Sequence, residues 1–384
     1  FVASDMRWVM LFSLFGWPLG QALCQWQEIG DFPGTARDDA ASFSWGCNVY
    51  VGTGLEVGWT LTNDWWQYDV VAYTWTPIAS LPASPRQYAT AQVVQGTGLL
   101  FGGLDADGPM NELWAYDIAT NTWNARAPLP AAARYACASF AVNGIFHVVG
   151  GVIEGGTALN ELWAYDPDTD QWTEKTALPG VPRHRAAGTG NSTHGFVLGG
   201  ADEDYIALNE AWSYDPVLET WTALPPVPEA RFGASASTLT DSEQILLFAG
   251  VTDNDLFWAN GHVYTPWTEG WTAMDGGLPD GRRGGVIGVT MGCPGWFFNV
   301  YGLGLDSSFT RRKDMYMSGY GFSIHEQANV PTRVFPNPAT TGIHVFSELQ
   351  GEQVSTMIFD ALGRTVAAPP VVQGSPISIA ALPP

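Results

Sequence analysis

Apolar and polar residues along most of this chain alternate in short runs, punctuated by Gly, Pro, Asn and Asp, and few segments show helical spacing. That pattern predicts short β-strands joined by tight turns. One phrase recurs among them. Asn111-Glu112-Leu113-Trp114-Ala115-Tyr116-Asp117 returns as Asn160-Glu161-Leu162-Trp163-Ala164-Tyr165-Asp166 and as Asn209-Glu210-Ala211-Trp212-Ser213-Tyr214-Asp215, with a near copy at Asn63-Asp64-Trp65-Trp66-Gln67-Tyr68-Asp69. A further Trp follows each copy (Trp75, Trp123, Trp172, Trp221), then Leu-Pro and an Arg. The arginines serve as a ruler: Arg37, Arg86, Arg134, Arg183, Arg231 and Arg283, spaced by 49, 48, 49, 48 and 52 residues.

Each period holds four strand-like runs, enough for one four-stranded antiparallel blade, and six periods predict an all-β, six-bladed propeller. Small residues such as Ala136-Cys137-Ala138-Ser139 follow the Arg and suit the innermost strand, where blades crowd the axis. The next strand ends in Gly102-Gly103, Gly150-Gly151 or Gly199-Gly200, with weaker versions at Gly52, Gly250 and Gly302. The Trp and Tyr of the phrase, two apart, supply apolar area on one face for packing blade on blade. The sixth period lacks an outer strand after Tyr316, and Trp26-Gln27-Glu28-Ile29-Gly30-Asp31-Phe32 has the pattern of the missing piece. The ring is therefore expected to close with the N-terminal strand completing the last blade, which removes an exposed sheet edge.

The Gly-Gly, Trp-x-Tyr-Asp and distal Trp pattern resembles the kelch repeat over residues 25 to 322. Blades 5 and 6 depart from it, reading Gly261-His262-Val263-Tyr264-Thr265-Pro266 and Lys313-Asp314-Met315-Tyr316-Met317. The resemblance implies a function among enzymes or binding modules alike, because kelch propellers host both.

Both ends of the chain read differently. Arg7 and the apolar run Trp8 to Phe15 after Met6 suggest a signal peptide, with cleavage after Ala22 or Cys24, and residues 1–24 are assigned to an upstream overhang (Phe1 to Asp5) and this signal peptide. The propeller is expected over 25–325. Residues 331–384 resemble the C-terminal sorting domain of the type IX secretion system of Bacteroidota. The resemblance rests on Pro336-Asn337-Pro338 and on Ile358-Phe359-Asp360-Ala361-Leu362-Gly363-Arg364. It implies export through the periplasm to a secreted or cell-surface location, with the export machinery as a partner. The family's closing strand motif is not met before Pro384, so a truncated small β-sandwich tail is expected.

Charge narrows the partners. Against 38 acidic residues stand 16 basic ones, for a formal charge of −22, which repels nucleic acid and anionic membrane. No run of about 18 apolar residues predicts a membrane-spanning helix. The histidines (His147, His184, His194, His262, His325, His344) lack paired ligand spacing, so neither metal nor other cofactor is expected. His184 and His262 stand where other blades carry ordinary aromatics.

The arginines are the candidate site. Arg86, Arg134, Arg183 and Arg231 open the innermost strands, and in kelch binding domains that end of the ring often takes the ligand. Arginines there can grip carboxylates, and Tyr88, Tyr135, His184 and Phe232 offer stacking surface. The alternative is structural: each Arg pairs with the acid that opens a third strand (Asp64, Glu112, Glu161, Glu210 or Asp314). The loops after Gly-Gly, with Asp105, Asp107, Glu154, Asp202, Glu203, Asp204, Asp253 and Asp255, read as a solvated acidic rim. The function expected is a non-catalytic scaffold engaging a carbohydrate or protein through the loop face. Its rival is a kelch-type sugar mutarotase or epimerase, or an oxidase-like carbohydrate enzyme.

Cys137 falls in the innermost strand as an inert buried thiol. Cys47 and Cys293 each lie ten residues after their ruler arginine, in neighbouring turns if the ring closes, so a disulfide at the seam is one reading and two free thiols the other.

Overall fold

The computed structural model describes residues 26–239, 243–274, 278, 280–284, 289–293 and 296–321, together with seven short strands between 333 and 378. The blades belong to one compact unit, Leu23–Cys293 with Phe297–Tyr320, and the strands from 333 onward to another. The alternating pattern yields what it predicts: no helix occurs among the described residues, and six four-stranded antiparallel sheets follow one another. Blade 2 is representative, with strands Thr90–Val94, Thr97–Phe101, Leu113–Asp117 and Thr122–Arg126 from axis to rim.

Innermost strands of successive blades pack side by side around the axis, and Val289–Cys293 of blade 6 lies beside Ala41–Trp45 of blade 1. The ring closes as the sequence implies. Gln27–Asp31 is the outer strand of blade 6, pairing with Asp314–Gly321 in the register Gln27↔Met317 and Glu28↔Tyr316. A bulge shifts it to Gly30↔Met315.

The core is a set of interfaces between blades. Between blades 1 and 2, Phe43, Tyr50 and Trp65 pack against Leu100, Tyr116 and Trp123. The distal tryptophans of blades 2 to 5 also tie each of these blades to its predecessor by donating Nε1–H to a carbonyl just past the previous outer strand. Trp123 reaches Ala79 at 2.8 Å, Trp172 reaches Ala127 at 2.8 Å, and Trp271 reaches Pro225 at 2.9 Å.

Two sequence landmarks move. The sixth ruler arginine is Arg282, not Arg283: Arg282 is fully buried and bonded as the other five are, while Arg283 is only half-buried. The Arg-Arg doublet hid this offset. The glycines of blades 1 and 6 that end the second strand are Gly54 and Gly304, in place of Gly52 and Gly302. Their partners before them are Thr53 and Leu303, at φ 58° and 55°. The second glycine is kept in all six blades because its φ is positive and a Cβ would press on a backbone carbonyl. The contact would fall at 2.9 Å from Gln87 O for Gly103 and at 2.9 Å from Arg283 O for Gly304.

In the tail, Arg333–Phe335, Gly342–Phe346 and Pro376–Ser378 form a three-stranded sheet. Pro336-Asn337-Pro338 and Asp360 to Arg364 lie outside the described residues, as does the predicted signal peptide.

Candidate site at the axial mouth

The ruler arginines form locks inside the blades. Arg86 donates to Gly102 O at 3.2 Å and to Glu112 Oε2 at 2.8 Å, while Trp114 Nε1 donates to the same carboxylate oxygen at 3.0 Å. Arg183 repeats this with Gly199 O, Glu210 and Trp212, whereas Arg134 keeps the bonds with Glu161 and Trp163 but leaves its Nη1 without a partner. Each of these guanidiniums is buried. Burial works to raise the Glu112, Glu161 and Glu210 carboxyls, but the Trp and Arg hydrogen bonds outweigh it and hold them below the usual range.

Blades 5 and 6 keep the lock with other residues. Asn260 stands in place of the acid, and Glu229 supplies a carboxylate to Arg231 and, at 2.6 Å, to His262, which replaces the lock Trp. In blade 6 Arg282 binds Asp280 and Asp314, and Tyr316 Oη donates to Asp314 at 2.8 Å. Tyr316 thus takes the place of the lock Trp, two residues after the acid as in blades 1 to 4.

The mouth is built by the two residues after each arginine. The second of them has positive φ in every blade: Asp39 56°, Tyr88 57°, Ala136 55°, Arg185 51°, Gly233 61° and Gly284 56°. Their backbones form a closed ring of hydrogen bonds around the axis, each N–H donating to the carbonyl of the preceding blade. Tyr88 N bonds Asp39 O at 3.1 Å, Ala136 N bonds Tyr88 O at 2.9 Å, Arg185 N bonds Ala136 O at 2.8 Å, Gly233 N bonds Arg185 O at 2.9 Å and Gly284 N bonds Gly233 O at 3.1 Å. Asp39 N closes it on Gly284 O.

This ring carries a polar cluster that the arginine ruler passes over. The Arg185 guanidinium lies 4.5 Å from the Tyr88 ring centroid and 5.1 Å from that of Tyr205. Tyr205 meets His184 at 4.8 Å and Phe232 at 6.4 Å, and Tyr88 meets Tyr135 at 5.8 Å between centroids. The structure therefore gathers Tyr88, Tyr135, His184 and Phe232 at the mouth. Arg86, Arg134, Arg183 and Arg231 stay behind it, each bound to its lock carboxylate. Asp39, Arg185 and Tyr205 had no part in the sequence reading. Counting two residues past each arginine would have found the first two.

Electrostatics set these groups apart. Asp39 keeps partial solvent access while densely surrounded by protein. Burial and the neighbouring Asp38 push its carboxyl up to about 7, against the charges of Arg185 and Arg283 and the Tyr88 hydroxyl. Burial and the Arg185 charge pull His184 down to about 4. Asp38 is held by Arg311 at 2.6 Å. No group of three or more His, Cys, Asp or Glu suited to a metal ion occurs among the described residues.

Comparison with known proteins agrees with this architecture. Residues 21–194 match the KLHDC2/KLHL20/DRC7 Kelch-repeats domain, and residues 125–280 match the Attractin/LZTR1 beta-propeller. No curated protein matches. Among 593 matching solved chains is the structure of YjhT, at a TM-score of 0.62 and 18% identity. That alignment covers 82% of this chain and 98% of the other. At such identity the likeness speaks to the fold.

Proposed function

Proceeding from a six-bladed propeller of kelch repeats, we propose that the protein is a binding scaffold that engages a carbohydrate or protein through its loop face. The observation that carries this reading is the unequal mouth. Asp39, Tyr88 and Arg185 project from three blades at positions where two others need only Gly233 and Gly284. Left-handed backbone costs a non-glycine residue about 1 kcal/mol or more, and such strain gathers at functional sites. The aromatic rings around Arg185 provide the stacking faces that sugars and peptide side chains use.

Arrays of glycans and of peptides test the reading. A ligand found there is expected to lose affinity by about tenfold or more in Arg185→Gly, which suits the backbone and leaves the locks intact. Arrays without a ligand, or one indifferent to Arg185 and Tyr88, would overturn it.

One observation favours a second reading. A carboxyl titrating near neutrality beside a tyrosine hydroxyl is poised for general acid–base chemistry, such as sugar mutarotation or epimerisation. Loss of turnover in Asp39→Asn without loss of binding would distinguish it. Export to a secreted or cell-surface location is proposed on the leader-like residues 6–24 and the sorting-type motifs of the tail.

A further inference from the structure

The loops joining second and third strands share one turn, in which a tip residue donates its N–H to the carbonyl three positions earlier. The tip residues are Trp59 (to Glu56 O), Gly156 (to Ile153 O), Tyr205 (to Asp202 O), Asp255 (to Thr252 O) and Phe309 (to Asp306 O). Blade 2 has a shorter loop, with Asp105 N bonded to Gly108 O. Every tip has positive φ: 63° at Trp59, 90° at Gly156, 62° at Tyr205, 56° at Asp255 and 56° at Phe309. Glycine meets this requirement freely and blade 3 uses it, whereas bulky aromatics are outliers in that region. The turn thus has no need of Trp59, Tyr205 or Phe309, and their rings face solvent, with Trp59 79%, Phe309 57% and Tyr205 48% exposed. Val57, Ile206 and Leu256 beside them are exposed as well.

These side chains form a connected crest over blades 4, 5, 6 and 1. Tyr205 contacts Phe232, Phe257 meets Phe309 edge-on at 6.0 Å, and the Arg311 guanidinium lies 4.9 Å from the Trp59 centroid. The loops joining second and third strands in blades 2 and 3 carry no exposed large apolar side chain. Exposed Glu203, Asp204, Asp253 and Asp255 alternate with the apolar tips. The tips 57–60, 203–206, 253–256 and 307–310 contain no Lys or Arg, and Arg311 beneath Trp59 is committed to Asp38.

We propose that this crest docks a segment of a protein partner that carries basic and apolar residues together. The aromatic faces take cations and apolar side chains alike, the interleaved carboxylates complement the cations, and the strongly negative net charge steers such a partner inward. The proposal rests on the loop face being the binding face and names the chemistry of what binds there.

The test uses fluorescence anisotropy with the full chain and four probes: a labelled peptide of alternating lysine and leucine, its glutamate-for-lysine and serine-for-leucine counterparts, and a neutral β-glucan oligosaccharide. Only the lysine–leucine peptide is expected to bind well, and more weakly as salt rises. Trp59→Gly, Tyr205→Gly and Phe309→Gly are each expected to weaken it roughly tenfold. Because glycine relaxes the turn, Trp59→Gly and Phe309→Gly are expected to melt no lower than the parent. Equal binding of the charge-reversed peptide, full binding by the glycine variants, or variants that melt lower would overturn the proposal. Binding of the oligosaccharide alone would defeat it while leaving the loop-face scaffold standing; binding of no probe, with an Arg185→Gly variant that changes no array ligand, would defeat both.

Discussion

A buried guanidinium is stable only while its counter-charge stays in place, and this chain repeats that situation in every blade. Arg134 is 1% exposed and meets Glu161, which is itself 36% exposed, at 2.8 Å. Solvent screens the outer carboxylate, so the pair itself contributes modestly. Removing Glu161 is another matter, since it strands a charge in the blade interior. Glu161→Ala is expected to cost about 2–4 kcal/mol in urea unfolding, and Glu161→Gln less because it preserves the acceptor for Trp163. His147 poses the complementary case. It stacks on Phe140 at 4.7 Å as Tyr50 stacks on Phe43 in blade 1, and its Nδ1 has no partner. Burial pulls its pKa down to about 4, so the fold favours the neutral ring. That contribution is intact above pH 6.5 and is lost as pH falls from there to about 4, a change on the order of 3 kcal/mol. His147→Phe is expected to keep the stack and flatten this part of the stability–pH curve, as thermal melts across that range can measure. An unchanged slope would reject the assignment.

Among the elements, the strand Gln27–Asp31 does most to make the ring continuous. Trp26, just ahead of it, fills the gap between blades 5 and 6, with its ring 5.7 Å from both Phe248 and Tyr301. On the other side of the strand Phe32 is fully buried and meets Trp75 of blade 1 at 5.2 Å. A short strand thus joins three blades. Trp26→Ala is expected to lower unfolding free energy by about 2–3 kcal/mol, since the ring is partly rather than fully buried. Deleting residues 26–32 exposes the edge of Asp314–Gly321 and is expected to produce concentration-dependent association in size-exclusion chromatography. A monomeric deletion variant with the parent's melting temperature would show that the ring does not depend on this strand.

At the scale of the whole molecule the ring has one seam, and Cys47 sits near it in a disulfide. Cys137 is free and buried, its thiol pushed up to about 12 by that burial, so it is inert. We propose Cys293 as the partner of Cys47. The strand Val289–Cys293 ends there beside Ala41–Trp45, and Cys47 lies two residues past the end of that neighbour. Such a bridge closes a loop of about 250 residues and can contribute up to about 5 kcal/mol by chain entropy. Non-reducing peptide mapping is expected to recover the Cys47 and Cys293 peptides joined; recovery of Cys47 with Cys24 would refute the pairing. Reduction of the intact protein is expected to lower its melting temperature.

The sequence by itself determined the blade. Trp-x-Tyr-Asp, the paired glycines and the recurring Arg are local requirements of one four-stranded unit, so each repeat states them afresh. Six copies then determine the ring, and the unpaired Trp26 to Phe32 determines how it closes. The tertiary structure alone decided which residues share the axis. Asp39, Tyr88 and Arg185 lie in three different blades and meet because a ring of backbone bonds turns one position per blade to the centre. The arginine spacing marks the position, but not which of its occupants matter, since Gly, Ala, Asp, Tyr and Arg all occur there. The crest escaped notice for a related reason. Trp59, Tyr205 and Phe309 read as ordinary apolar residues until their positive φ and their exposure are known, and both are properties of the folded turn.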